Sequence, residues 1–303
     1  MAQILGDSSC AIEANINYYN EPPPGERPPP VFVGTVGGRR QKWNTQPMRV
    51  TDLRTVDSHF TIHENGFQFV SFRSMDGANY DCFATDEEIK AKVYPDVKDT
   101  LKRVAGATDV FIFNHIVRKD PHVEASEIKE EVPDEAQDHS QGPAMLAHVD
   151  VSYKGAQCFL DELRVPESEE LRAKARKHRW GIINLWKPLK TVNRDPLAVC
   201  DASTVPESDL RPVEYIIPAN EEHSTERREV ELWYVAHNPK HRWYWPSNMR
   251  PDEALLIKCF DSREQGVARM APHSAIKLPN QHGPPRESIE LRCLVFYNER
   301  ARL

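Results

Sequence analysis

A mainly β fold, closed as a sandwich or barrel and flanked by helices, is what this sequence predicts. Short runs rich in aromatic and branched residues recur through its carboxy-terminal half, separated by turns containing Pro, Asp, Asn or Gly. Segments with helical spacing are few. No Gly-x-Gly-x-x-Gly or phosphate-binding loop supports the alternative of a doubly wound nucleotide-binding sheet.

Taken in order, EPPPGERPPP (21–30) has six prolines in ten residues and cannot be a regular helix or a central strand. It places residues 1–58 in an amino-terminal arm that covers the body, with 1–303 forming a single domain. FQFVSFRSM (67–75) reads as a strand. TDEEIKAKVYPDVKDTLKRVAG (85–106) has helical spacing and opens on Thr85 and Glu88, the two ends of a capping box. VFIFNHIV (110–117) is a buried strand, and the acidic stretch after it, to about 142, an exposed connection. From 147 onward strands dominate: AHVDVSY, RWGIINLWKPL (179–189), PLAVCDAS (196–203), RPVEYIIP (211–218), REVELWYVA (228–236), HRWYWPS (241–247), ALLIKCFDS (254–262) and SIELRCLVFY (288–297). LDELRVPESEELRAKARKH (160–178) is the helical exception.

Bulk properties narrow the function. With 303 residues, 39% hydrophobic and 28% charged, the chain has the composition of a soluble globular protein. It contains no run of about eighteen apolar residues to span a membrane. MAQILGDSSC lacks the basic and apolar regions of a secretory signal, so a cytoplasmic location is expected. Net charge is −7, and the basic RAKARKHR (172–179) is matched by the acidic KEEVPDEAQD (129–138); no continuous phosphate-binding footprint results, and no nucleic-acid partner is expected. Six scattered cysteines without a C-x-x-C pair read as separate, reduced and mostly buried thiols, not a zinc ribbon.

The chemistry is concentrated in two stretches. AHVDVSYKGA (147–156) sets His148 and Asp150 two apart, and alternate side chains of a strand share a face. Alone the pair reads equally well as a polar interruption of a strand. ARMAPHSAIKLPNQHGPPRESIELRCLVFY (268–297) adds His273, completing a 2-His-1-carboxylate set that suits ferrous iron and leaves coordination positions open. Arg286 and Ser288 begin the next strand, and a planar guanidinium beside a hydroxyl suits the far carboxylate of a dicarboxylate. Arg292 faces the same side in a regular strand and is the alternative anchor. Asn184 and Trp186 alternate along another inner strand, either lining a cosubstrate pocket or serving as a structural amide and a core aromatic. Tyr153 reads as a substrate contact or as a packed tyrosine.

These stretches, with HENGFQFV, IINLWKPL, DPLAVCDAS, HRWYWPSNMRPDEALLIKCFDS, APHSAIKLP and PPRESIELRCLVFY, resemble the non-haem iron, 2-oxoglutarate-dependent oxygenases. More closely, they are similar to the fungal hydroxylase/desaturase family related to gibberellin desaturase and cephalosporin 7-alpha-methoxylase, over most of the chain from about residue 60. The resemblance implies a double-stranded β-helix (jelly roll, cupin-like). It implies Fe(II) on His148, Asp150 and His273, with 2-oxoglutarate and dioxygen as cosubstrates. Arg286, assisted by Ser288, would receive the distal carboxylate, although its spacing of thirteen residues from His273 is longer than usual in the superfamily. Hydroxylation or desaturation of a small natural-product or amino-acid-derived substrate, releasing succinate and carbon dioxide, is the implied activity. Two rival readings are a cupin-like iron enzyme that does without 2-oxoglutarate and a noncatalytic jelly-roll binding protein; succinate release and iron dependence separate them. A homodimer is compatible with the sequence, which carries no decisive signature for one.

Overall fold

A computed structural model describes residues 10–23, 25–26, 30–72, 80–138, 140–217 and 228–300. Among them the strands run β1 (Ala11–Tyr18), β2 (Val31–Phe32), β3 (Asn44–Asp52), β4 (Phe67–Ser71), β5 (Asp109–Arg118), β6 (His148–Val149) and β7 (His178–Pro188). They continue as β8 (Leu197–Cys200), β9 (Leu210–Ile217), β10 (Arg228–Val235), β11 (Trp243–Trp245), β12 (Glu253–Asp261), β13 (His273–Ala275) and β14 (Ser288–Arg300). Helices α1 (Val36–Arg39), α2 (Asp86–Glu88), α3 (Tyr94–Ala105), α4 (Tyr153–Glu162) and α5 (Ser168–Lys177) accompany them.

Two sheets form. The larger has the order β1-β3-β11-β8-β13-β6-β10-β9-β2, and the smaller β4-β12-β7-β14-β5. A core that includes Val149, Ala198, Cys200 and Trp243 from the first and Ile182, Phe260, Leu294 and Phe296 from the second joins them. The outer face of the smaller sheet is covered by α3, whose Val97 and Leu101 share a cluster with Ile183, Leu185, Leu291 and Cys293. Burial on both faces explains the near-continuous apolar runs of β7 and β12, where one-sided burial would have produced alternation. The result is the β-sandwich with flanking helices expected of a double-stranded β-helix. No helix among the described residues is long and apolar enough to cross a membrane.

Local chemistry explains the element boundaries. Thr85 caps the helical region by accepting a hydrogen bond from Glu88 N at 3.3 Å, and Gly106, in the left-handed region at φ 67°, ends it. A π-helical turn over Ile89–Val93 precedes Pro95, which has no N–H to continue a regular ladder. The helix expected over 160–178 is two helices with a break at Pro166. Arg172 secures their junction, donating to the Leu160 carbonyl at 3.1 Å and the Leu163 carbonyl at 2.6 Å.

The segment 10–58 contributes strands. β1 pairs antiparallel with β3, and β3 runs parallel to β11 within the larger sheet. In the proline-rich stretch, residues 24 and 27–29 lie outside the described residues, as do residues 73–75 of the strand expected over 67–75 and residue 218 of that over 211–218. Arg179 leaves the basic run entirely. It is buried and pairs with Asp261 through two nitrogens at 2.9 and 2.7 Å. The six cysteines are free, four of them buried.

Candidate metal centre and substrate cleft

β13 pairs antiparallel with β6, placing His273 directly opposite His148, with ring centroids 4.5 Å apart. Each histidine turns its Nδ1 to a backbone carbonyl: His148 to Leu146 O at 2.9 Å and His273 to Ala271 O at 3.3 Å. With Nδ1 donating there, each ring turns its Nε2 toward Asp150 Oδ1, at 3.4 and 3.8 Å. The three ligand atoms lie within 4.8 Å of one another, the one such His/Cys/Asp/Glu group found among the described residues. Two imidazole nitrogens and a carboxylate suit a divalent transition metal.

Strand alternation does not bring Asp150 there. β6 ends at Val149, and Asp150 occupies the turn leading into α4. That helix starts early because Ser152 caps it, accepting from Gly155 N at 2.8 Å while donating to Glu231 Oε1 on β10 at 2.6 Å. The strand expected through Tyr153 is therefore cut short by a cap whose partner lies on another strand.

Asp150 is held on its other oxygen. Asn184 Nδ2 donates to Oδ2 at 2.6 Å, and Arg292 Nη2 lies 3.3 Å from the same atom. Burial alone would push the Asp150 carboxyl up, but the Arg292 guanidinium and the two histidines prevail and hold it well below the usual carboxylate range. Arg292 Nε in turn donates to Glu290 Oε1 at 2.8 Å. Burial opposes the charge on Arg292, and the carboxylates of Asp150 and Glu290 outweigh it. Burial and the neighbouring His148 push the His273 imidazole down to about 4, leaving it neutral near pH 7.

Arg286 and Ser288 form a second group. Both are buried, and Ser288 lies opposite Pro188 on β7 and Arg118 on β5. The Arg286 guanidinium lies 5.1 Å from the Trp186 ring centroid, and its Nη1 donates to the Asp195 carbonyl at 2.7 Å. Burial and the nearby Arg118 push the Arg286 guanidinium down to about 9. Arg286 Nε and Ser288 Oγ are buried without a hydrogen-bond partner in the protein. Leaving such groups unpaired costs about 1–3 kcal/mol each, so the site is built for an acceptor-rich ligand. A carboxylate supplies acceptors for both kinds of donor.

The structure thus separates residues that the sequence groups together: Trp186 lies with Arg286, whereas Asn184 and Arg292 lie with Asp150. Tyr153 stands apart from both groups. Its hydroxyl donates to Glu207 Oε1 at 3.1 Å and its ring packs against Arg269 and Trp233. Beside Asp150, Asn184 and Arg292 opens a cleft of about 760 Å³, walled by Phe113, Phe159, Ile182 and Val230 and carrying Arg164 and Arg228. Glu290 and these wall residues escape the sequence reading. Alternation from Ser288 through Glu290 to Arg292 would have found the first; the walls come from strands and a helix distant in sequence.

A family model described as "Oxidoreductase/YMDC permease-like domain" matches residues 16–296. The hydroxylase/desaturase efuI of Hormonema carpetanum is 39% identical over 97% of this chain and 98% of its own length. The alpha-ketoglutarate-dependent dioxygenase tstK of Talaromyces stipitatus is 33% identical over 82% of this chain and 84% of its own. Among solved structures, the iron and alpha-ketoglutarate-dependent endoperoxidase NvfI superposes with a TM-score of 0.72 at 26% identity, covering 95% of this chain and 98% of that one.

Proposed function

Because the chain belongs to the fungal Fe(II)/2-oxoglutarate-dependent hydroxylase/desaturase family, we propose that it hydroxylates or desaturates an unactivated C–H site of a small secondary-metabolite intermediate, with His148, Asp150 and His273 holding the iron. One observation carries the reading: the ligand atoms of His148, Asp150 and His273 lie within 4.8 Å of one another, in a chain that also buries Arg286 Nε and Ser288 Oγ without a partner in the protein. Iron loaded with 2-oxoglutarate and dioxygen supplies an oxidant able to take hydrogen from such a bond, with succinate and carbon dioxide released.

The protein supplies position, charge and dryness. The backbone carbonyls of Leu146 and Ala271 hold each histidine by its Nδ1, so that both rings turn Nε2 toward the metal position. In this reading Arg286 and Ser288 receive the distal carboxylate of 2-oxoglutarate, and the Trp186 ring packs against the guanidinium. Phe113 and Phe159, with ring centroids 4.4 Å apart, screen one side of the cleft from water and offer an apolar wall to the substrate. The cleft volume accommodates a molecule of natural-product size.

Anaerobic loading of the full chain with Fe(II), followed by oxygen and 2-oxoglutarate, tests the proposal. Oxygen-dependent succinate release that requires iron is expected, rising when the correct substrate is added. Iron binding with no effect of 2-oxoglutarate on its electronic absorption would move the protein to the cupin-like class that does without this cosubstrate.

A further inference from the structure

The two arginines of β14 are engaged in different ways. Arg286 has an unpartnered buried Nε, whereas Arg292 spends its Nε on Glu290 and points Nη2 at Asp150 Oδ2. Arg292 lies opposite Asn184 on β7 and Asn114 on β5, between these two strands of the smaller sheet. Asp150, by contrast, belongs to no strand, so the sheet does nothing to set the direction of its side chain.

We propose that Arg292 is a positioning residue for the metal centre: with Asn184 it holds Asp150 Oδ2, so that Oδ1 is the oxygen presented to the metal. The distances sort the two oxygens. Oδ2 has the Asn184 amide at 2.6 Å and the guanidinium at 3.3 Å, while Oδ1 faces the two imidazole nitrogens at 3.4 and 3.8 Å. The orientation of the Asn184 amide follows from chemistry, since an ionised carboxylate accepts only from the nitrogen end. Glu290, itself buried, holds the guanidinium from behind. An ionised carboxylate can bind a metal through one oxygen or both, and occupying Oδ2 with a hydrogen bond from Asn184 and an ion pair with Arg292 selects one. One-oxygen ligation leaves coordination positions free for the other reactants.

This inference rests on the proposed iron site, and its test uses Mn(II) as the metal probe and N-oxalylglycine as the cosubstrate probe. Mn(II) binding to the metal-free full chain is read from the electron paramagnetic resonance of free Mn(II). N-oxalylglycine binding is then measured at saturating Mn(II). Arg292→Lys keeps the charge but cannot bridge two carboxylates with a planar fork. Asn184→Ala removes the other arm of the clamp. Each is expected to weaken Mn(II) binding about 10–100-fold and to leave N-oxalylglycine affinity within about twofold, with an unchanged thermal midpoint. Arg286→Lys is expected to do the reverse. Should Arg292→Lys fail to fold, Asn184→Ala decides the question. Unchanged Mn(II) affinity would overturn the proposal, and so would a larger loss for N-oxalylglycine than for Mn(II), which would assign Arg292 to the cosubstrate. A wild-type protein that binds Mn(II) but not N-oxalylglycine would defeat the proposed function and leave the clamp standing.

Discussion

His148 and His273 are direct cross-strand partners, joined by the pairing of β6 with β13, with imidazole centroids 4.5 Å apart. Neither can be moved without moving the other, since each occupies the same rung of the sheet. His273→Ala or Asp150→Ala is therefore expected to abolish iron retention after desalting and to eliminate succinate release. A loss of at least about 100-fold in metal affinity is expected when one of three protein ligands is removed. Iron content by elemental analysis, with circular dichroism to establish folding, measures it. Retention of stoichiometric iron by either variant would reject the centre.

The orphaned pair on β14 leads to a graded expectation. Ser288→Ala removes one hydrogen bond to a charged ligand, a contribution of about 1.5–3 kcal/mol, so KM for 2-oxoglutarate should rise at least about tenfold. Arg286→Met removes the buried cation and should raise it further, with kcat at saturating cosubstrate the less affected parameter. Initial rates of succinate formation against 2-oxoglutarate concentration measure both. An unaltered KM in Arg286→Met would exclude this anchor.

Residue type made part of the site legible in the sequence, and topology withheld the rest. His148, Asp150 and His273 stand out because a carboxylate and two imidazoles are an uncommon set for apolar surroundings. The reason they converge was not readable: Asp150 is turned by a helix cap whose partner, Glu231, lies on a different strand. The roles of Arg286 and Arg292 depend in the same way on which carboxylates reach them. β7 and β12 were plain as strands because burial on both faces makes them continuously apolar. β1 and β3, with Glu, Asn, Gln and Arg on half-exposed faces beside a proline-rich stretch, looked like an arm. Tyr153 was ambiguous because the cap at Ser152 decides the direction of its side chain.

Gly155 couples the helix to the metal centre. A methyl group at this position would overlap the Glu231 carbonyl oxygen on β10, a backbone atom that cannot rotate aside. Gly155→Ala should force α4 away from the sheet and destabilise the protein by roughly 1–3 kcal/mol or more. Displacement of Ser152 would carry the Asp150 turn with it, so Mn(II) affinity should fall together with the thermal midpoint. Wild-type stability in this variant would show that α4 has room to shift and would remove the coupling.

Lys187 offers a pH-dependent test of burial away from the site. It is almost completely buried on β7, with its ammonium 4.8 Å from the Phe83 ring centroid and 5.6 Å from that of Phe72. Burial pushes the amine down to about 8 from the usual 10.5, against the weaker opposing pull of Asp252. In the unfolded chain the group is protonated up to its ordinary value, so between about 8 and 10.5 the unfolded state binds more protons. Folding therefore bears the cost of a buried charge in full below pH 8, on the order of 3 kcal/mol, and loses that cost as pH rises toward 10.5. Contacts with the two rings recover some of it. Lys187→Met, similar in shape and without charge, is expected to be more stable than wild type at pH 7 by about 1–3 kcal/mol. The difference should shrink steadily when both proteins are unfolded in urea at increasing pH. Titrating groups that do not interact with Lys187 act equally on both proteins and cancel in the comparison, which is made in a Cys82→Ser background because that thiol does interact with it. A variant less stable than wild type at pH 7 would mean that the aromatic contacts outweigh the cost of burying the ammonium.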